Sequence, residues 1–535
     1  MKTWGVLIAL SLAYFIIVID TTIMNVSISV LITDLDTTVT GIQSAISIYA
    51  MVMASMMLIG GRLSDVMGSK RTFITGLVIY CSGTILASFA QGLSVLILGW
   101  SVLEGIGAAL MIPTLQVLLR SQYSGARLAL CYGIISAVSA IGAALGPIVG
   151  GFFTTYISWR WAFRSELFVA FFIFLLSPRL KPDEKNVVRP KFDYLGSVMS
   201  IAGWSCIVLG TLLSQKYGFF LAKEPLQIGS RDIAPLGLSA SLVIIALGIV
   251  IIMLFFRYES YLESKNKDGL FKPSVFFTPS YKPGVAVRFS QLAITSGFLY
   301  IMPLLLQLTF DYTAMKTGLA LMPFSLSLLI TAVIGAKFSA RFFANHIIIT
   351  GLGLAILGLV SIGASIQPDI TSSELVLGSL FGVGIGLIAS QLLNLILSAV
   401  RPEQTAEAAG LNSTFEQLGN AIGVALVGTV MMSVLTSNII QDINVSPGFS
   451  QIEKTQLSSR VEQSMQLLSD SQLTEVLDSL GADQSEINEL TQIYANSRID
   501  AFRAAVALLI FFSVMALLIS LWLPKRKLIS SKSVP

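Results

Sequence analysis

The chain has 535 residues, of which 54% are hydrophobic and 12% charged, with a net charge of +4 and a mean hydropathy of +0.80. A soluble domain carries roughly twice that share of charge, so these apolar side chains cannot all be hidden in one aqueous core. The composition excludes an ordinary soluble enzyme or a nucleic-acid-binding module and reads as an all-α polytopic membrane protein.

Continuous apolar runs long enough to span a bilayer, about 20 residues each, recur fourteen times: near 5–30, 42–63, 73–91, 94–118, 129–153, 161–177, 195–214, 235–256, 285–309, 318–338, 347–366, 374–399, 409–436 and 501–523. None alternates with period two, so helices rather than barrel strands are expected. The first run is too long for the apolar region of a signal peptide and reads as an uncleaved first span. With the N-terminus inside, the inner connections hold most of the 34 Lys and Arg residues. By the positive-inside rule both termini then face the cytoplasm. Cys81, Cys131 and Cys206 lie in apolar runs without ligand spacing, and the single histidine, His346, excludes a histidine-based metal site. No metal and no cofactor are expected.

Residues 437–500, between the last two spans, form a large outer piece with acids from Asp442 to Asp500 against Lys454, Arg460 and Arg498. Apolar residues in LTEVLDSLGADQSEINELTQIY recur at helical spacing, so two or three short amphipathic helices are expected, broken near Gly481. The reading there is a solvated acidic cap or, alternatively, a gate or lure for cations.

The two ends of the chain echo each other. GGRLSD at 60–65 follows the second span and GAKFSA at 335–340 follows the tenth; Gly142-x-x-x-Gly146 in the fifth span matches Gly419-x-x-x-Gly423 in the thirteenth. With spans 7 and 8 set aside, each echo occupies the same place in a six-helix half, an arrangement suited to a transporter. The resulting organisation is 1–177, an N-terminal six-helix bundle; 178–284, two additional membrane helices with cytoplasmic loops; 285–523, a C-terminal six-helix bundle that includes the 437–500 loop; and 524–535, a cytoplasmic tail.

At the connection GGRLSDVMGSKR (60–71), Gly61 and Gly68 would permit close helix approach and a tight turn, Asp65 would accept from a helix N-terminus or pair with a basic neighbour, and Lys70 and Arg71 would hold the cytoplasmic side. Together they read as a breakable latch between rocking bundles. In GAALGPIVGG (142–151), Gly142, Gly146, Gly150 and Gly151 remove side chains for close packing, and Pro147 removes one helical hydrogen bond.

These stretches resemble motifs of the major facilitator superfamily: the loop motif at 60–71, the fifth-helix antiporter motif G-x-x-x-G-P-x-x-G-G at 142–151, IDTTIMNV at 19–26 on the first helix, and SWRWAF at 158–163 before the sixth. With fourteen spans they are similar to the fourteen-helix drug:proton antiporter branch. The resemblance implies two six-helix halves plus two inserted central helices, secondary transport by alternating access, a fifth helix that suppresses leak, a plasma-membrane location and a monomer. It departs at the fourth helix, where Ser101 and Glu104 stand at positions that relatives usually fill with Arg and Gln.

Acids inside a span are costly and face a partner or a cavity. Four are candidates for proton or cation coupling: Asp20 in the first span, Glu104 in the fourth, Glu166 in the sixth and Glu416 in the thirteenth. Asp20 and Glu104 also allow structural pairing; Arg164 and Glu166, two residues apart, would pair to other helices. Met24, Asn25, Trp100, Gln291 and Gln417 are candidate cavity residues. No ATP-binding signature is present, so an ion gradient would drive transport. The favoured reading is proton-coupled efflux of amphipathic or cationic drug-like small molecules, with protons and the lipid bilayer as the other partners and no role for nucleic acid. The alternatives are export of a dedicated lipid, siderophore or metabolite and, in a different class, a non-transporting membrane sensor.

Overall fold

The computed structural model describes residues 2–123, 125–180, 191–222, 226–228, 231–233, 237–338, 341–367, 376, 378–401, 404–446, 454–455, 457–458, 461, 467–479 and 484–525. The N-terminal half contains α1 (Lys2–Val26), a short α2 (Ile28–Asp34), α3 (Val39–Met67), α4 (Ser69–Ser88), α5 (Leu93–Leu96), which runs through a π-helical segment Ile97–Glu104 into α6 (Gly105–Gln122), α7 (Gly125–Tyr156) and α8 (Arg160–Leu176). The insertion is α9 (Tyr194–Tyr217) and α10 (Ala240–Ser264), with the antiparallel hairpin β1 (Leu226–Ile228) and β2 (Arg231–Ile233) between them and α11 (Pro273–Phe276) after them. The C-terminal half contains α12 (Tyr281–Leu304) with a π-helical end at Leu305–Thr309, α13 (Ala314–Ala320), α14 (Met322–Phe338), α15 (Ala344–Ser365), α16 (Gly378–Leu397), α17 (Thr405–Val445), α18 (Asp470–Ser479) and α19 (Gln484–Ser520).

Thirteen helices are long and apolar enough to cross a bilayer, and α13 with α14, bent by 42°, supplies a fourteenth. The first expected span ends at Ser27 rather than 30. The Ser27 hydroxyl bonds back to Ile23 O at 3.2 Å, its N–H bonds Met24 O in a tighter turn, and α2 restarts beyond it. Elsewhere helix ends follow local chemistry: Thr38 Oγ1 caps α3 through Gly41 N–H, Asp193 Oδ1 caps α9 through Gly196 N–H, and Gly68, at φ 98°, makes the sharp α3–α4 turn.

The echo between the ends of the chain is a repeat in three dimensions. In the first half α1 packs on α7, α3 on α6 and α4 on α8; in the second α12 packs on α17, α14 on α16 and α15 on α19. Across the seam α3 meets α17, and α7 meets α13 and α14. The inserted helices α9 and α10 pack chiefly on each other, and α9 lies along the seam between α3 and α17, its Trp204 and Val208 buried with Ala50, Met51, Ala54 and Leu418. Large apolar side chains left outside, among them Phe168, Phe171 and Leu175 on α8, suit contact with lipid.

In the outer acidic piece the flanking membrane helices reach further than expected, and a separate short helix is present among the described residues. α17 continues to Val445 and α19 begins at Gln484, so much of 437–500 is an extension of the flanking membrane helices. α18 is a separate amphipathic helix; Arg498, almost fully buried, ties it down by pairing with Asp470 at 2.8 Å and donating to Leu468 O at 2.9 Å. The expected break near Gly481 and most of the C-terminal tail lie outside the described residues.

Candidate functional site

On α1 most polar side chains satisfy themselves locally. Thr21 and Thr22 donate to Val18 O and Ile19 O, and Asn25 donates to Thr21 O. A carboxylate has no donor to offer in this way, so Asp20 needs a partner from another helix. It finds Trp100 Nε1 on the π-helical segment at 2.9 Å. That segment, wider than an α-helix and often associated with function, also presents Glu104 at its end. Gly99 lets it lie directly on α4, where an added Cβ would meet Ala87 N at 2.7 Å. Glu166 on α8 accepts from Tyr80 of α4 at 2.7 Å.

The result is a cluster of three carboxylates from three different helices. One oxygen each of Asp20, Glu104 and Glu166 lies within 4.8 Å of the others, and the residues are 1%, 0% and 3% exposed. Neither oxygen of Glu104 has a hydrogen-bond partner within the described structure. Tyr49 stacks on Trp100, with centroids 5.4 Å apart and planes at 18°, and lies beside Asp20. At the 4.8 Å limit between the carboxylate oxygens, two full negative charges repel by on the order of 3 kcal/mol even at an effective dielectric near 20. Repulsion of that size favours bound protons or another small cation that offsets part of the charge. Ser101, at the position of the family arginine, donates to Ala45 O at 2.7 Å and brings no positive charge.

Glu416 does not join this cluster. It belongs to the C-terminal half, where Arg288 Nε reaches its Oε1 at 2.6 Å and Asn412 donates to the same oxygen at 2.8 Å. Gln291 accepts from Arg288 at 2.9 Å, and Gln417 accepts from Asn420 at 3.1 Å. Met24 is buried in the main apolar core. Arg164 lies over the rings of Phe89 and Trp161 and makes no ion pair among the described residues.

The two halves are joined at the end of the bundle away from the α1 N-terminus. Gln307 donates to Val26 O at 2.8 Å and accepts from Ser29; Met315 N–H donates to Thr155 Oγ1 at 2.9 Å. The α7 glycines fit this seam and the α1 contact. A Cβ at Gly146 would overlap Thr22 Oγ1 at 1.8 Å, and one at Gly151 would meet Ala314 O at 2.6 Å; Gly142 faces Val18 and Gly150 faces Ile23, while Pro147 O lies against Gly318. Gln43, fully buried on α3, donates to Val424 O and Ala425 O and accepts from Gln215 and Tyr300. Its role went unread in the sequence, although a lone amide inside the apolar run of 39–59 was the available signal.

At the opposite end a cavity of about 250 Å³ opens between α3, α6 and α17, lined by Met57, Arg62, Asp65, Arg120, Glu407 and Ser413 among others. The 60–71 latch surrounds it with partners other than those anticipated. Arg62 pairs with Asp268, in the loop after α10, at 3.2 Å, whereas Asp65 makes no ion pair among the described residues. Lys70 Nζ binds Leu180 O at 2.7 Å, and Arg71 is exposed. Gly60, not Gly61, is the close-approach position: a Cβ there would stand 2.2 Å from Ala109 O, against 3.8 Å from Pro113 Cβ at Gly61.

The family model described as Major Facilitator Superfamily matches residues 10–424. The chain belongs to that superfamily. Relatives include the puromycin resistance protein pur8 of Streptomyces alboniger, 27% identical over 83% of this chain and 85% of the relative. The multidrug efflux pump LfrA of Mycolicibacterium smegmatis is 24% identical over 83% of this chain and 84% of its own. The crystal structure of an auto-inhibited POT family peptide transporter superposes with a TM-score of 0.58 at 13% identity, covering 100% of this chain and 99% of that one, which is a likeness of fold. This major facilitator is therefore a multi-pass membrane transporter rather than an enzyme, related to drug and antibiotic efflux proteins, and its cargo is a small molecule.

Proposed function

We propose that the chain exports amphipathic or cationic drug-like compounds across the cell membrane in exchange for protons, as a monomer with both termini in the cytoplasm. The Asp20–Glu104–Glu166 cluster is the proton-carrying site. The observation that carries this reading is the burial of three carboxylates, one from each of α1, α8 and the π-helical segment, within 4.8 Å of one another. The drug-like cargo is supported by the relatives named for puromycin resistance and multidrug efflux.

In this orientation the joined end is extracellular and the cavity beside Asp65 and Glu407 opens to the cytoplasm, an arrangement ready to load cargo from inside. Rocking of the halves about α3–α17 and α7–α14 would part Gln307 from Val26 and close the cavity. The same motion would carry the carboxylate cluster from one aqueous access to the other, as alternating access requires.

The test is substrate-driven proton movement. Protein is reconstituted into liposomes holding a pH-sensitive dye, and cationic, neutral and anionic amphiphiles are added without an imposed gradient. The reading expects proton flux opposite to the compound for a subset of the panel. Compound flux with no accompanying proton movement would refute it.

A further inference from the structure

The C-terminal half contains a second polar constellation that the proton-carrying cluster leaves unused. Arg288 on α12 and Glu416 on α17 are in direct contact at 2.6 Å, yet their side chains remain 16% and 15% exposed. Gln291 holds the guanidinium through Nη1, and Asn412 holds the carboxylate through Oε1, the oxygen that Arg288 also uses. This leaves Arg288 Nη2 and Glu416 Oε2 without a hydrogen-bond partner among the described residues, and neither atom is shut away from solvent. Their neighbours Phe289, Phe415 and Leu418 pack with Ala50, Met51 and Ala54 on α3 of the opposite half. The pair therefore stands near the seam between the halves.

A largely buried ion pair repays its desolvation only where its remaining polar atoms are also satisfied. This one leaves a donor, Nη2, and an acceptor, Oε2, unpaired among the described residues, and the pair is neutral in sum. A ligand with a single charge would satisfy one edge and leave the other member with an uncompensated charge in a poorly solvated place. A ligand with an ammonium and a carboxylate close together would satisfy both, with the planar guanidinium suited to the carboxylate.

We propose that Arg288 and Glu416 form a recognition site for a zwitterionic head group on the exported compound, with its carboxylate on Arg288 and its ammonium on Glu416. Gln291 and Asn412 position the two side chains. This rests on the reading of the chain as an exporter, and on no property of the Asp20 cluster.

The test uses equilibrium binding to the full-length protein in lipid nanodiscs at neutral pH, without any gradient. The probes are O-benzyl-tyrosine, a zwitterion; its methyl ester, a cation; and its N-acetyl derivative, an anion. The zwitterion is expected to bind about tenfold more tightly than either analogue, the scale of one charge-assisted hydrogen bond. Arg288→Gln removes its advantage over the ester, and Glu416→Gln removes its advantage over the N-acetyl compound. The exchanged double variant Arg288→Glu/Glu416→Arg, which keeps an ion pair, controls for folding by its melting and size-exclusion profile and is expected to regain part of the binding. Equal binding of a singly charged analogue, no binding of the zwitterion, or a preference that survives both Gln variants would overturn the proposal. Glu104→Gln is expected to retain the zwitterion preference while losing proton-driven transport, so failure of one reading is separable from failure of the other.

Discussion

Trp100 donates to Asp20 at 2.9 Å across the α1 interface, from a side chain only 1% exposed. Because its ring also stacks on Tyr49, Trp100→Phe removes the donor and keeps most of the packing. A hydrogen bond to a charged group contributes roughly 1.5–3 kcal/mol. Proton-driven transport should fall by about tenfold or more, with little change in melting temperature. Unchanged transport would mean that Asp20 is held by other groups.

The glycine contacts predict opposite outcomes at adjacent positions. Gly61→Ala, with 3.8 Å to its nearest neighbour, should stay within about 0.5 kcal/mol of wild type. Gly60→Ala pushes a methyl to 2.2 Å from Ala109 O and should cost about 1–3 kcal/mol. Thermal melting in detergent reads both; a tolerated Gly60→Ala would contradict the helix packing described.

At the distal end Asp34 accepts from Trp159 at 2.9 Å and Arg160 at 2.8 Å, and Arg160 also bridges to Ala90 O. Slight burial works to raise the Asp34 carboxyl, but the bonds from Trp159 and Arg160 and the guanidinium charge outweigh it, so the group is held below its ordinary value. A depressed carboxyl stabilises the fold above its unfolded value and loses that effect as pH falls through the folded one. The melting difference between wild type and Asp34→Asn should therefore be constant from neutral to mildly acidic pH, begin to shrink near about pH 4 and vanish only once the pH has fallen through the depressed folded value. Because Asp34 is 44% exposed at its side chain, the difference should be at most about 1 kcal/mol.

The Arg62–Asp268 contact ties the 60–71 latch to the loop after α10. In the same loop Lys272 pairs with Glu407 on α17 at 3.2 Å, so a short segment of the insertion bridges both halves beside the cavity. A double-mutant cycle on Arg62→Ala and Asp268→Ala should show non-additive losses of transport rate, because the two charges act through one contact. Strict additivity would mean that they act apart.

Much of this architecture was legible in the sequence because a bilayer imposes long apolar runs, and Gly68 and the α7 glycines mark turns and close packing by their lack of a side chain. The four intramembrane acids were legible as costly residues, yet their grouping was not. Asp20, Glu104 and Glu166 lie in separate spans, and only the helix packing and the π-helical segment bring three together and leave Glu416 with Arg288. The end of α1 at Ser27 and the contacts of Gln43 depend on individual side-chain bonds across helices, which periodicity does not encode. The latch was read as a set of residues, but its partner Asp268 sits about 200 positions away in the inserted pair, beyond the reach of a local motif.

The central claim is that the buried carboxylate cluster carries the proton. The most direct measurement is compound transport into proteoliposomes driven by an imposed pH gradient, comparing wild type with Asp20→Asn, Glu104→Gln and Glu166→Gln, each checked for intact folding. The account predicts that each neutral variant loses pH-driven transport while it still binds cargo. Gradient-driven transport at the wild-type rate in all three would contradict it.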